Sequence, residues 1–222
     1  MGKLYVVPTP IGNLKDITLR ALEVLKSVNY IACEDTRRTL ILLNHYDIKG
    51  KKLISYYEPK EEQRIPKILK ILEREDVALV TDAGMPAVSD PGYRLIKRCI
   101  EEGIEVEVLP GASAVLTALV GSGLPPDRFL FLGFAPKKGT KSFFQEIKNC
   151  EDTTVILFEN PNRVIKTLEL ILEIFGDVDA CVARELTKVH EEYIRGRVSE
   201  ILSELKGREK IKGEIVILFR IS

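Results

Sequence analysis

Three times in its first 114 residues the chain repeats one construction: an apolar run, a loop of proline, glycine and small residues, then a helical pattern. Leu4-Tyr5-Val6-Val7 leads into Pro8-Thr9-Pro10-Ile11-Gly12-Asn13-Leu14, and Thr18, a capping residue type, opens the helical pattern beyond. Val77-Ala78-Leu79-Val80 leads into the loop from Thr81 to Gly92, and Val106-Glu107-Val108 into Leu109-Pro110-Gly111-Ala112-Ser113-Ala114. Such units build parallel sheets, and a parallel sheet gathers the loops that follow its strands along one edge, where open α/β folds bind ligands. Two prolines fix φ and remove donors in the first loop, so it is stiff before any ligand arrives. Bulky side chains are nearly absent from all three loops. A ligand can therefore lie against backbone N–H and C=O groups.

The surrounding pattern extends this to an α/β fold class. Strand-like runs at 4–7, 29–33, 53–56, 77–81 and 105–109 alternate with helical patterns at 18–27, 36–44, 61–74, 92–102 and 112–120. This alternation predicts a largely parallel sheet. Breaker residues cluster at Gly121-Ser122-Gly123-Leu124-Pro125-Pro126-Asp127, which predicts two α/β domains, 1–121 and 122–222. The second holds strand candidates at 129–133, 153–158, 180–184, 190–196 and 214–219, with helical patterns at 141–148, 162–175 and 198–206. Some of those strands follow one another without a helix between them, so a mixed sheet is expected there.

Composition excludes several classes. A hydrophobic content of 45% suits a packed core. No run approaches the ~18 apolar residues of a membrane span. Met1-Gly2-Lys3 passes straight into a strand without a signal-peptide pattern, so a cytoplasmic protein is expected. Cys33, Cys99, Cys150 and Cys181 are scattered, and His45 and His190 stand alone, so no metal is expected. Lys and Arg total 33, as do Asp and Glu, so net charge does not point to nucleic acid. Basic residues cluster only locally, at Arg37-Arg38, Lys49 to Lys52, Lys137-Lys138 with Lys141, and Lys206 to Lys212. The first loop lacks the G-x-G-x-x-G of a dinucleotide fold. Gly133 to Ser142 misses the phosphate-loop spacing by one residue and places Thr140 ahead of Lys141.

The three loops resemble the cofactor loops of the tetrapyrrole methylase superfamily, which binds S-adenosylmethionine (SAM). More specific are Pro8 to Leu14, Glu34-Asp35-Thr36-Arg37, Asp82-Ala83-Gly84-Met85-Pro86, Ser89-Asp90-Pro91-Gly92, Glu159-Asn160-Pro161 and Arg184-Glu185-Leu186-Thr187-Lys188. These resemble one branch, the ribosomal RNA small-subunit methyltransferase I type, over essentially the whole chain. That branch methylates the 2′-oxygen of a decoding-site cytidine in 16S rRNA. The resemblance implies a SAM-dependent enzyme without metal, two α/β domains with the cofactor in the cleft between them, a homodimer, and 16S rRNA within the small subunit as partner. Two departures from the wider superfamily stand out. Pro8-Thr9-Pro10 replaces a glycine-rich turn, and Met85 replaces an Asp.

Carried over position by position, the resemblance assigns cofactor contacts to Ile11, Ala83, Gly84, Met85, Val88, Ser113, Ala114, Glu159 and Leu186. Methyl transfer to a ribose hydroxyl needs in-line positioning and a group to take the proton. Asp35, Asp82, Glu159 and Glu185 are candidates, with Asp35 and Glu159 foremost. Each also has a structural reading: Asp35 or Thr36 as a helix cap, Asp82 in an Asx-turn, Glu159 as a cap for the helix after Pro161. Arg37, Arg38, Lys137 and Lys138 are candidates for RNA phosphates. Two alternatives stay open: a small-molecule tetrapyrrole methylase, and a non-catalytic RNA-binding module on the same fold.

Overall fold

The computed structural model describes residues 1–221 and divides into two units, Met1–Ser113 and Ala114–Ser222. The first unit is built on strands β1 (Leu4–Val6), β2 (Tyr30–Cys33), β3 (Lys52–Ser55), β4 (Val77–Val80) and β5 (Val106–Val108). They pair in the order β3-β2-β4-β1-β5, every pair parallel. Helices α1 (Leu19–Ser27) and α2 (Thr36–His45) cover one face, α3 (Glu61–Leu72) and α4 (Tyr93–Glu101) the other. The two-residue period of a strand explains the layering. Ile31, Cys33, Ala78 and Val80 point to α1 and α2, while Ala32, Val77 and Leu79 point to α3 and α4. Both faces are covered, so β4 is buried along its whole length, as a continuous apolar run requires.

The second unit opens with α5 (Ala114–Ser122) and holds β6 (Phe129–Phe134), α6 (Thr140–Glu146), β7 (Thr153–Glu159), α7 (Val164–Phe175), β8 (Asp179–Arg184), β9 (Glu192–Arg197), α8 (Val198–Lys206) and β10 (Ile215–Ile221). The sheet order is β6-β7-β10-β8-β9; only β6 and β7 pair in parallel, so the sheet is mixed. Phe144, Leu168, Ile171, Ile201 and Leu205 from α6, α7 and α8 pack on Val155, Leu157, Ile217 and Phe219. The division falls at Ser113/Ala114, ahead of the expected 121/122. Helix α5 belongs with the second sheet: Tyr193 Oη donates to Thr117 O at 3.2 Å and Arg195 Nε to Gly121 O at 2.9 Å. The breaker run after 121 ends that helix; it does not separate units. No helix among the described residues is long and apolar enough to cross a membrane.

Candidate functional site

In the first unit the loops after β4, β1 and β5 stand side by side, because those strands are neighbours in the sheet. They are pinned to one another. Thr9 N–H donates to Gly84 O at 3.0 Å and Gly84 N–H to Thr9 O at 2.9 Å, an isolated bridge between the first two loops. Thr9 Oγ1 adds a bond to Thr81 O at 3.1 Å. Gly84 has φ +83°, and a Cβ there would lie 3.3 Å from Ile11 Cγ2 and 3.9 Å from Ala112 O. A Cβ on Gly111 would lie 2.7 Å from Pro8 Cβ, so the third loop closes on the first only because it carries glycine. Gly84 and Ile11 thus come together, with Ala83, Met85 and Val88 on the same loop as Gly84 and Ser113 ending the neighbouring loop.

The β4–α4 loop is strained. Ala87 and Ser89 adopt φ of 69° and 62°, a region that costs non-glycine residues energy and that clusters at functional sites. Its far end is anchored by the buried carboxylate of Glu61 on α3, whose Oε1 accepts from Gly92 N at 2.9 Å.

On the other side of β4, the β2 end carries the Glu34-Asp35-Thr36-Arg37-Arg38 string. Asp35 caps α2 by accepting from Arg37 N at 2.8 Å, and the Arg37 guanidinium folds back to give 3.0 and 2.7 Å bonds to its two oxygens. Those bonds hold the Asp35 carboxyl down to about 2, which makes it a weak base. Asp82 does not close an Asx-turn in its own loop. Its Oδ1 accepts from Asp35 N at 3.0 Å, and Oδ2 faces Arg38 Nε at 3.5 Å, so it ties the β4 loop to the α2 start. Sequence reasoning missed Asp90. Burial and the negative charges of Glu34 and Asp82 push its carboxyl up to about 7, the range suited to a general base. Burial also raises Glu34, with Asp82 adding to it. The string Ser89-Asp90-Pro91-Gly92 marks the residue, but its environment comes from residues remote in sequence.

In the second unit, β6, β7 and β8 run the same way, so their carboxyl ends share an edge. Glu159 ends β7, and Lys137, Lys138, Glu185 and Leu186 follow the ends of β6 and β8. Glu159 is buried, its Oε1 accepting from Asn160 N at 2.7 Å and its Oε2 from Thr167 Oγ1 at 2.6 Å. It therefore clamps β7 to the first turn of α7 through Thr167 and does not cap that helix, because Arg163 occupies the cap position. Both oxygens are engaged, which leaves it poorly placed to accept a substrate proton. Arg163 lies 3.6 Å from Glu159 and donates to Ala135 O and Pro136 O, both at 2.9 Å, fixing the loop that presents exposed Lys137 and Lys138. Glu185 accepts from Glu214 N and Lys188 Nζ, each at 2.9 Å, which lowers its pKa and spends it on joining β8 to β10. Leu186 is buried, and Ala114 begins α5.

Among the described residues no group of three or more His, Cys, Asp or Glu is arranged to hold a metal ion. The cysteines are free, and burial pushes the Cys33, Cys99 and Cys181 thiols up to about 11, so they are inert. A groove of about 800 Å³ between α3 and α4 is walled by charges that pair internally, Arg94 with Glu62 at 2.8 Å and Arg98 with Glu102 at 2.7 Å. It is a solvated helix–helix groove away from the strand ends.

Residues 3–202 match the sequence model of the Tetrapyrrole (Corrin/Porphyrin) Methylases. The chain is 59% identical to "Ribosomal RNA small subunit methyltransferase I" of a Hydrogenobaculum species, covering 97% of this chain and 94% of that one. It is 49% identical to the protein of the same name from Thermotoga maritima, covering 98% of each. Among solved structures, diphthine synthase aligns with a TM-score of 0.74 at 15% identity, over 99% of this chain and 90% of that one, a likeness of fold alone.

Proposed function

We propose that this chain, which belongs to the tetrapyrrole methylase family and within it to the ribosomal RNA small subunit methyltransferase I group, methylates a ribose 2′-oxygen in small-subunit ribosomal RNA. The acceptor is taken to be the decoding-site cytidine of 16S rRNA, SAM the donor, the cytoplasm the location, and a homodimer the working form. The observation that carries this reading is the 59% and 49% identity, over nearly the full length, to relatives of that name.

The first-unit loops fit a cofactor that lies against backbone. Gly84 presents no side chain where Ile11 and Ala112 close in, and the Thr9–Gly84 bridge fixes both loops beforehand. Ile11, Ala83, Gly84, Met85, Val88 and Ser113 would hold SAM there. When bound, it supplies a methyl group on a sulfonium that leaves as a neutral thioether, so the transfer asks for alignment more than for charge stabilisation. Stiff, mutually pinned loops supply that alignment.

The ribose proton needs an acceptor on the same edge. Asp35 is held ionised by Arg37, whereas burial, with neighbouring negative charge, raises the Asp90 and Glu34 carboxyls, and these two are assigned the proton. Exposed Arg37 and Arg38 would meet RNA phosphates, as would Lys137 and Lys138.

The test incubates the protein and methyl-labelled SAM with small ribosomal subunits, naked 16S rRNA or uroporphyrinogen in parallel. Label in RNA supports the reading. Label only in the tetrapyrrole replaces it with small-molecule methylation, and label nowhere despite SAM binding favours a non-catalytic module.

A further inference from the structure

Beside the cofactor loops, on their β2 side, lies a hollow of about 160 Å³. At ~30 Å³ of liquid per water it has room for roughly five waters, the scale of one pyrimidine ring. Its walls come from the β1 loop, the β4 loop and α2, all within the first unit. Pro10, Ile41 and Leu42 supply apolar surface, and Ile41 is left 64% exposed. Three threonines also line it. Thr9 Oγ1 donates to Thr81 O and Thr39 Oγ1 to Asp35 O, both bonds that hold the fold. Thr81 is different: it is 2% exposed, and its Oγ1 is buried with no hydrogen-bond partner among the described residues. A buried hydroxyl left unpaired costs stability and calls for a partner that arrives from outside. Next to it, Asp82 spends Oδ1 on Asp35 N–H, and Oδ2 meets Arg38 only at 3.5 Å, which leaves acceptor capacity.

We propose that this hollow receives the base of the target nucleotide, an unstacked cytosine, with Asp82 and Thr81 reading its edge. This rests on the RNA methyltransferase reading above. A carboxylate accepts from the exocyclic amine of cytosine and repels the O4 that uracil presents at the same position. The Thr81 hydroxyl donates to the adjacent ring nitrogen, and the apolar walls take the ring faces, as in enzymes that act on an extruded nucleotide. Arg38 at the rim stands ready for the neighbouring phosphate. The hollow thus makes Asp82 and Thr81 specificity-determining residues, separate from the residues that hold the donor.

The test measures kcat/KM on reconstituted small subunits carrying cytidine or uridine at the methylated position, for wild type, Asp82→Asn and Thr81→Val. SAM affinity and melting temperature are measured on all three. Asn keeps the acceptor for Asp35 N–H and adds a donor for uracil O4, and Val keeps the shape of Thr. The expected result is a wild-type preference for cytidine of about 5- to 150-fold, the worth of one good edge contact. Asp82→Asn should shrink it about tenfold, and Thr81→Val should lose about tenfold in kcat/KM on cytidine. SAM affinity should be unchanged in both. Wild-type transfer to RNA with the same preference in both variants overturns the base pocket and leaves the proposed function standing. A loss of SAM affinity in Thr81→Val also overturns it, because the hollow then belongs to the donor. No transfer to any RNA by the wild type overturns the proposed function itself, and the pocket with it.

Discussion

Gly84 is the point where the three loops of the first unit meet, and replacing it separates a built ligand site from an ordinary strand–helix connection. At φ +83° an L-residue costs about 1–2 kcal/mol relative to glycine. In Gly84→Ala the new Cβ stands 3.3 Å from Ile11 Cγ2, so Ile11 must also give by a few tenths of an ångström. Together these come to about 2 kcal/mol, which for a chain of this size lowers the melting temperature by roughly 4–8 °C. The Thr9–Gly84 bridge strains with it, and SAM affinity should fall by more than about tenfold because the proposed cofactor surface is the same backbone. Gly84→Val adds two further methyls and should abolish binding while unfolding stays cooperative. Calorimetry reads both effects, one from the melting transition and one from SAM titration. A Gly84→Ala protein that melts and binds SAM like the wild type would show that the loop is only a connection.

Three other outcomes follow from the same geometry. Asp90 binds a proton in the folded state up to about pH 7 but in the unfolded chain only below about pH 4, so its contribution to stability falls as pH rises through that window. Asp90→Asn should therefore melt higher than wild type at pH 8, with the gap narrowing toward pH 5; an equal gap at both pH values contradicts the burial. Arg37→Ala with Arg38→Ala should weaken small-subunit binding and reduce the slope of log affinity against log salt by about one per lost phosphate contact, leaving SAM affinity intact; an unchanged slope removes these arginines from the RNA surface. Glu159→Ala strands the Asn160 N–H and the Thr167 hydroxyl and should cost about 2–4 kcal/mol in denaturant unfolding, while Glu159→Gln keeps much of it; a neutral Glu159→Ala would refute the clamp.

The sheet architecture was legible in sequence because its signals are local. Val77 to Val80 is a strand buried on both faces, Thr18 caps α1 through Ala21 N, and Asp35 caps α2. The unit boundary was not legible. Whether α5 packs on the first sheet or the second depends on tertiary contacts of Thr117 and Gly121 with Tyr193 and Arg195, which no local pattern carries. Individual carboxylates were legible by position but not by state. Asp35, Glu159 and Glu185 each lie at or just past a strand end, yet each is held by partners that the fold supplies. Asp90 takes its character from burial and the nearby Glu34 and Asp82 charges, and the Thr81 hydroxyl, without a partner among the described residues, from burial, which sequence does not display.

The central claim is a methyl group placed on ribose. Small subunits lacking the modification, treated with the protein and methyl-labelled SAM, can be digested to nucleosides and the label separated by chromatography and mass spectrometry. The expected result is label in 2′-O-methylcytidine alone, lost when Gly84→Val replaces the wild type. Label on a base atom, or label in uroporphyrinogen with none in RNA, would contradict it.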